Sequence, residues 1–540
     1  REGAPVQTVW RLPFSRPGLI IRACCCSSMR FLCGLFPALR SGPDLWGRHL
    51  LKHRAVIGLI LGPLLFFLVL LLPLPEGMSP AGLRVAAVTV LMAVWWISEA
   101  IPVPATALLP IVLFPLLGVL SGAEVTRAYG NHLIYLFLGG FLIAVTMERW
   151  NLHHRIALHT IRMVGVSPRR IVFCFMLATA FLSMWISNTA TTMMMVTIAM
   201  AVLREVEYEI DHQPGELWFG TILMLGICYA ASIGGVATLI GTPPNAIFAG
   251  VLEKNYGISI SFTDWMGFAL PLSLVMLALT WLYLTRILCR QTDMQIAGGA
   301  ALIQQQLAAL GPMSRQEKQV ALVFATVALL WILRGLYQPA GLALVKDSTI
   351  AIGGALLLFV IPVNLKRREF LLDWKTAVTI PWDIIILFGG GFALAQGFGE
   401  SGLTRWLAEQ LTVLQGIETV LVIAAVVLLV IFLTEVTSNT ATASLLLPVM
   451  GALASAIDVS PFGLMVATVV AASFAFMLPV ATPPNAIVFS SRCVTMMQMA
   501  RAGLLLNLAG VVVITGFVYW LLPLLWGSQP DSNGLLPLIP

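Results

Sequence analysis

Charge is what this chain has least of. Asp, Glu, Lys and Arg make up 10% of its 540 residues, against 59% hydrophobic. A soluble protein needs roughly a quarter of its residues charged to cover its surface, so a reading by length as three or four soluble domains fails. The composition is that of an all-α polytopic membrane protein. It excludes a disordered chain, a disulfide scaffold and a nucleic-acid-binding domain. The 31 Lys and Arg are spread along the chain and read as topological, so the partners expected are membrane lipid and a small solute, with no nucleic acid. Cysteine is equally uninformative. Cys174, Cys228, Cys289 and Cys493 lie singly in apolar runs, as small buried hydrophobes do. The adjacent Cys24, Cys25 and Cys26 lack metal-ligand spacing or a His partner. No Asn-x-Ser/Thr sequon occurs, which favours a bacterial inner membrane over a glycosylated plasma membrane. No signal peptide is legible before the core, since no clean apolar stretch leads to a small-residue cleavage site. The sequence starts at Arg1, Met29 is a candidate start, and residues 1–50 read as a non-core, disordered extension.

Apolar runs are plentiful. A helix crossing about 30 Å of hydrocarbon needs about 20 apolar residues. Segments 55–74, 83–101, 103–120, 131–148, 265–288, 319–336, 349–364, 382–398 and 502–525 meet that need. Four more, 171–203, 217–252, 417–457 and 462–490, are too long for one span or are interrupted by polar residues and proline. With a cytoplasmic N-terminus, and with 171–203 and 417–457 each entering and leaving on one side, 25 of the 31 basic residues fall inside. Only Arg84, Arg127, Lys254, Arg334, Lys346 and Arg405 fall outside, as the positive-inside rule requires. Residues 149–165 and 400–414 read as interfacial amphipathic helices. Residues 290–316 read as the longest polar loop, on the cytoplasmic side.

Three motifs occur twice in the same order. Leu136-Phe137-Leu138-Gly139-Gly140-Phe141 is matched by Leu387-Phe388-Gly389-Gly390-Gly391-Phe392, and Ser187-Asn188-Thr189-Ala190-Thr191 by Ser438-Asn439-Thr440-Ala441-Thr442, both at an offset of 251. Thr242-Pro243-Pro244-Asn245-Ala246-Ile247 recurs as Thr482-Pro483-Pro484-Asn485-Ala486-Ile487 at an offset of 240. On the charge-derived layout the copies begin on opposite sides, so they are inverted repeats. Interrupted helices in matching positions of such repeats point to a secondary transporter and its midplane site.

The chemistry follows from residue type. Ser-Asn-Thr sits midway in each over-long stretch, which reads as a re-entrant hairpin with the triplet at its tip. Irregular backbone at that depth must be buried in protein or line a polar cavity. The tip offers hydroxyl and amide oxygens, and exposed N–H groups begin the second half-helix at its positive dipole end. Thr-Pro-Pro-Asn breaks a helix, and proline removes a donor, freeing upstream carbonyls at Gly241 and Ala481. Rings of such neutral oxygens suit a hard cation such as Na⁺. Two occupied rings leave a positive, donor-lined space between them, a site for a small anion. Neither 171–203 nor 417–457 contains Lys, Arg or His, so protein cations do not supply that charge. A lone Pro-Pro break is ordinarily a kink, and a lone Ser or Asn is ordinarily helix–helix glue; the repetition of both motifs argues against those readings.

Other candidates carry less. Glu99, at a span end, reads as an interface or packing residue. His153, His154 and His159 read as solvated on their amphipathic segment. Glu435 faces Met184 across the repeats, and reads either as an extra cation or proton site or as an acceptor for backbone N–H groups at the hairpin turn.

At this point the residues resemble the divalent anion/sodium symporter family. Paired Ser-Asn-Thr and Thr-Pro motifs are its hallmark, and the run Ala472 to Val488 is similar to its signature. The resemblance covers about residues 55–525. It implies eleven transmembrane spans plus two re-entrant hairpins, a dimerising scaffold and a transport domain that slides as an elevator. The implied division is 1–50 extension, 51–166 scaffold, 167–252 transport domain, 253–414 scaffold and connecting helices, 415–492 transport domain, and 493–540 last span and tail. It implies one Na⁺ site at Ser183, Ser187, Asn188 and the Gly241 carbonyl, and a second at Thr434, Ser438, Asn439 and the Ala481 carbonyl. Substrate carboxylates would meet Asn188, Thr189, Asn439, Thr440, Thr242 and Thr482, with Pro243 and Pro483 alongside. The family's exchangers carry basic side chains where Na⁺ would sit; neither hairpin here has one, which favours symport.

The expectation is a Na⁺-coupled importer of C4-dicarboxylates such as succinate, malate or fumarate, working as a homodimer. A sulfate or tricarboxylate carrier, a proton-coupled carrier and a dicarboxylate exchanger share the fold. A polytopic membrane enzyme is the rival from another class, and the sequence offers it no nucleophile, metal cluster or paired acid–base set.

Overall fold

A computed structural model describes residues 43–162, 167–209, 216–288, 297–336 and 344–526. Helices begin where the sequence supplies caps. Ser121 with Glu124, Ser261 with Asp264 and Thr495 with Gln498 form reciprocal capping boxes, and Pro80, Pro168, Pro243, Pro461 and Pro483 open helices at the first turn. Nine helices among the described residues are long and apolar enough to cross a membrane, or ten if Leu403–Leu414 with Thr419–Thr434, bent by 116°, counts as one span. Many leave their apolar faces uncovered: Ile60, Phe67 and Leu71 of Pro43–Leu71 are 67%, 60% and 82% exposed, a surface that belongs in lipid or against another chain.

Several expectations need correction. Segment 103–120 is two short helices, Val103–Thr106 and Leu109–Leu116, because Pro104, Pro110 and Pro115 punctuate it. Segment 349–364 stops being helical at Val360; Asp347–Val360 has 14 residues, about 21 Å of rise. Pro362 then turns the chain into a small antiparallel ribbon, Pro362–Asn364 against Glu369–Phe370, the one departure from an all-α fold among the described residues. The polar loop 290–316 contains helix Ala297–Leu310. The amphipathic segments are present as Leu152–Arg162 and Leu403–Leu411. His153 and His154 are half-buried rather than solvated, and burial pushes both imidazoles below their usual range; His159 is exposed. The residues read as an extension lie outside the described part up to 42, Met29 included, and helix Pro43–Leu71 starts within the remainder.

Around the site, the glycine motifs make close helix crossings. A side chain at Gly139 would strike the Ala351 backbone at 2.5 Å, so His132–Arg149 lies directly on Asp347–Val360. Phe137 and Phe388 occupy equivalent positions of the two motifs, and their rings touch edge to face at 4.8 Å. Contact between equivalent residues is what a two-fold relation between repeats produces. Helix Phe262–Leu282 packs on Glu216–Val236, and Met496–Gly516 packs on Thr419–Thr434.

Candidate functional site

Each Ser-Asn-Thr triplet sits where two helices meet at a non-helical link. Pro168–Ser183 is followed by two turn residues, a bend and the non-helical Ser187, and then Asn188–Glu209. Thr419–Thr434 is followed by the same succession, ending in extended Ser438, and then Asn439–Ala456. The two links match residue for residue at the offset of 251. Asn188 and Asn439 each begin a second helix, with the main-chain N–H of Thr191 and Thr442 bonded back to the Ser187 and Ser438 carbonyls at 3.0 and 2.9 Å.

The hydroxyls before the triplets do matching work. Ser183 Oγ bonds Asn188 Oδ1 and lies 2.7 Å from the Ala231 carbonyl oxygen. Thr434 Oγ1 lies 2.6 Å from Asn439 Oδ1 and 2.9 Å from the Ala472 carbonyl oxygen. A hydroxyl has one proton, yet in each repeat two further oxygens converge on it, so that three oxygens cluster together. Such an oxygen-rich cluster is what a hard cation prefers as a coordination shell. Ser183 and Thr434 are completely buried, whereas Ser187, Asn188, Thr189, Ser438 and Asn439 are half-exposed at the tips.

The broken helices complete the picture. Glu216–Val236 unwinds over 237–242 before Pro243–Tyr256, and Pro461–Ala472 unwinds over 473–482 before Pro483–Ser490. Thr242 and Thr482 cap the second halves in the same extended conformation, φ −142° and −141°. Pro244 and Pro484, three residues after Gly241 and Ala481, have no N–H to offer those carbonyls. No hydrogen bond to either carbonyl occurs among the described residues. In the first repeat the parts are in contact: a Cβ on Gly235 would lie 2.6 Å from Asn188 Oδ1, and one on Gly241 would lie 2.4 Å from the Gly235 carbonyl oxygen. Only glycine fits there, so the first Ser-Asn-Thr link and the first break are pressed together. In the second repeat the link runs through Glu435. Its Oε1 accepts from Phe476 N (2.7 Å), Met477 N (2.8 Å) and Asn507 Nδ2 (2.8 Å), and its Oε2 accepts from Leu478 N (2.9 Å). Four donors match the acceptor reading of Glu435.

The repeats also interlock. Pro243–Tyr256 packs on Asn439–Ala456, and Pro483–Ser490 packs on Asn188–Glu209, so each half-helix that starts with Thr-Pro-Pro-Asn leans on the other repeat's hairpin. That exchange gathers both motif pairs into one region. Sequence reasoning missed the partners that carry no motif: the Ala231 and Ala472 carbonyls, Gly235 and Asn507. A polar Asn507 in the otherwise apolar run 502–525 was the one available signal.

Comparison with known proteins shows the family. Residues 53–526 match the family described as the sodium:sulfate symporter transmembrane region. A protein named sodium-dependent dicarboxylate transporter SdcS from Staphylococcus saprophyticus is 46% identical over 490 residues, covering 89% of this chain and 94% of that one. Its namesake from Staphylococcus aureus strain USA300 is 46% identical over 489 residues, with the same coverage. Among solved structures, the YdaH transporter of Alcanivorax borkumensis aligns with a TM-score of 0.53 at 15% identity, over 82% of this chain and all of that one. MtrF of Neisseria gonorrhoeae aligns at 0.50 and 11% identity, over 74% of this chain and 83% of that one. At such identities the two structures bear on the fold alone. The family match over nearly the whole described chain, and the long relatives at 46% identity, establish that this chain belongs to the divalent anion/sodium symporter family, whose members are transporters and not enzymes.

Proposed function

We propose that the protein imports C4-dicarboxylates such as succinate, malate and fumarate by Na⁺ symport. The observation that carries this reading is the pair of matched oxygen clusters, Ser183–Asn188–Ala231 and Thr434–Asn439–Ala472, each at a hairpin tip beside a broken helix. Two Na⁺ ions are the cargo that suits them. One would be held by Ser183, Ser187, Asn188 and the Gly241 carbonyl, the other by Thr434, Ser438, Asn439 and the Ala481 carbonyl. The dianion sits between, against Asn188, Thr189, Asn439 and Thr440, with Thr242-Pro243 and Thr482-Pro483 closing it in. The names of the 46%-identical relatives support both the ion and the substrate class.

The mechanism proposed is an elevator in eleven spans and two re-entrant hairpins. The repeats are inverted, as the Phe137–Phe388 contact and the exchanged packing of the half-helices support. Residues 167–252 and 415–492 move as the transport domain against a scaffold of 51–166 and 253–414, which dimerises in a bacterial inner membrane with its N-terminus in the cytoplasm. Filled Na⁺ sites neutralise the dianion's surroundings, so substrate binds well only after the ions do. The test is uptake of labelled succinate into proteoliposomes with and without an inward Na⁺ gradient. Accumulation with Na⁺ and none with choline is expected. Uptake of sulfate or citrate but not succinate would move the reading to those carriers, and Na⁺-independent exchange of internal for external anion would replace symport.

A further inference from the structure

Asn245 and Asn485, the last residues of the two Thr-Pro-Pro-Asn motifs, have no part in the ion and substrate shells described above. Both are fully buried, at 0% exposure. Asn245 Nδ2 donates to the Val236 carbonyl at 3.1 Å and the Thr238 carbonyl at 2.7 Å. Asn485 Nδ2 donates to the Ala475 and Leu478 carbonyls, both at 3.0 Å. In each repeat one amide group therefore ties its own half-helix back to two upstream carbonyls, at Val236, the last residue of the first half-helix, and Thr238 in the first repeat, and at Ala475 and Leu478, both within the unwound segment, in the second. Val236 ends its helix, so its carbonyl has lost its intrahelical partner; Trp265 Nε1 also donates to it, at 2.9 Å. With both Nδ2 protons used, the amide orientation is fixed; flipped, the side-chain oxygen would face two carbonyl oxygens. Each Oδ1 is left buried with no donor among the described residues. The same arrangement stands at equivalent places of both repeats.

We infer that Asn245 and Asn485 are the positioning residues of the two ion sites. This rests on the Na⁺-coupled reading above. Two prolines leave the start of each second half-helix without main-chain donors, while the loops keep other ties, through Thr238 in the first repeat and Glu435 in the second. The asparagine adds side-chain donors from the half-helix itself, closing a ring from residue 236 to 245 and from 475 to 485. Inside those rings lie Gly241 and Ala481, whose carbonyls stay free and turned out of the helical direction because the loop cannot rewind. Gly235, whose backbone lies between Asn188 and Gly241, adjoins Val236, so the first staple also sets the spacing between hairpin tip and break. Removing a staple lets the loop relax when no ion is bound, and ion binding must then reorder it. The penalty appears in Na⁺ affinity and vanishes once Na⁺ saturates.

The experiment measures uptake in proteoliposomes for wild type and for Asn245→Asp, Asn245→Ser, Asn485→Asp and Asn485→Ser. Half-saturating Na⁺, succinate KM at saturating Na⁺, maximal rate and thermal melting are read together. Asp keeps the shape but cannot donate as a carboxylate, and it faces two carbonyls. Ser keeps one donor and cannot bridge two acceptors. The expected result is a rise in half-saturating Na⁺ of about ten-fold or more for Asp, the scale of one lost hydrogen bond, with a smaller rise for Ser. Maximal rate and succinate KM at saturating Na⁺ should stay near wild type. If an Asp variant does not fold, the Ser variants decide. Unchanged half-saturating Na⁺ in the folded variants, or a lost maximal rate that Na⁺ does not restore, would overturn the inference. A wild type that moves succinate without Na⁺ would instead overturn the function on which the inference rests, so the two failures are told apart.

Discussion

The two repeats place the same chemistry at the same points and then stabilise it differently. Both pair a buried hydroxyl with the Asn of Ser-Asn-Thr and with a carbonyl of the neighbouring broken helix. The first break is short, residues 237–242, and holds itself: Thr238 Oγ1 donates to the Met184 carbonyl at 2.6 Å and accepts from Gly241 N at 3.0 Å. The second break, residues 473–482, is too long to close with one hydroxyl. There Glu435, at the place equivalent to Met184, gathers three consecutive backbone N–H groups and the Asn507 amide. A carboxylate has enough lone pairs for four donors, which a thioether or hydroxyl does not. A smaller difference lies at the tips. Thr437 pairs with Thr442 at 2.6 Å, whereas the equivalent Ile186 leaves the buried Thr191 hydroxyl without a partner. The geometry proposed to bind ions is thus held in common while its support is particular to each repeat, and the two can be separated by mutation.

The largest effect should come from what the repeats share. Asn188→Ala and Asn439→Ala are each expected to abolish uptake while the protein still elutes as a folded species by gel filtration, because the methyl group can neither ligate an ion nor face the anion. Near-normal uptake by both would break the assignment of the site. Next comes the support peculiar to the second repeat. Glu435→Ala should lower stability by about 3 kcal/mol, since it strands several buried donors at once. Glu435→Gln should cost about half that and leave the Na⁺ dependence of transport unchanged; thermal melting and ion titration of the same samples check both. A changed transport stoichiometry in Glu435→Gln would instead make the carboxylate part of the ion machinery. Thr238→Val in the first repeat should cost about 1–2 kcal/mol, having two hydrogen bonds to lose rather than four. The smallest change is Ile186→Thr, which gives Thr191 the partner that Thr442 already has. A gain of up to about 1 kcal/mol in melting, with transport unaltered, is expected.

The shared part was legible in the sequence and the supporting part largely was not. Motifs at fixed offsets reveal Asn188, Asn439, Thr242 and Thr482, because the same residue types recur at matching points of the two repeats. The Ala231 and Ala472 carbonyls leave no such trace, since any residue supplies a carbonyl. Glu435 stood out as a carboxylate at a position where its repeat partner is Met184, but its four donors depend on how residues 473–482 unwind, which spacing does not encode. Hydropathy found most of the crossing helices. It failed at 103–120, where apolar content hides three prolines, and at 349–364, where Pro362 diverts the chain into a ribbon. Both failures arise because hydropathy weighs burial and ignores backbone geometry.

The central claim is that two cation sites bracket one anion site. Linkage then requires that Na⁺ raise substrate affinity and that substrate raise Na⁺ affinity by the same factor. The direct test is equilibrium binding of labelled succinate to purified protein across a range of Na⁺ concentrations at constant ionic strength. A plot of log affinity against log Na⁺ should rise with a slope approaching two below saturation. A slope of one or less, or affinity indifferent to Na⁺, would contradict the account.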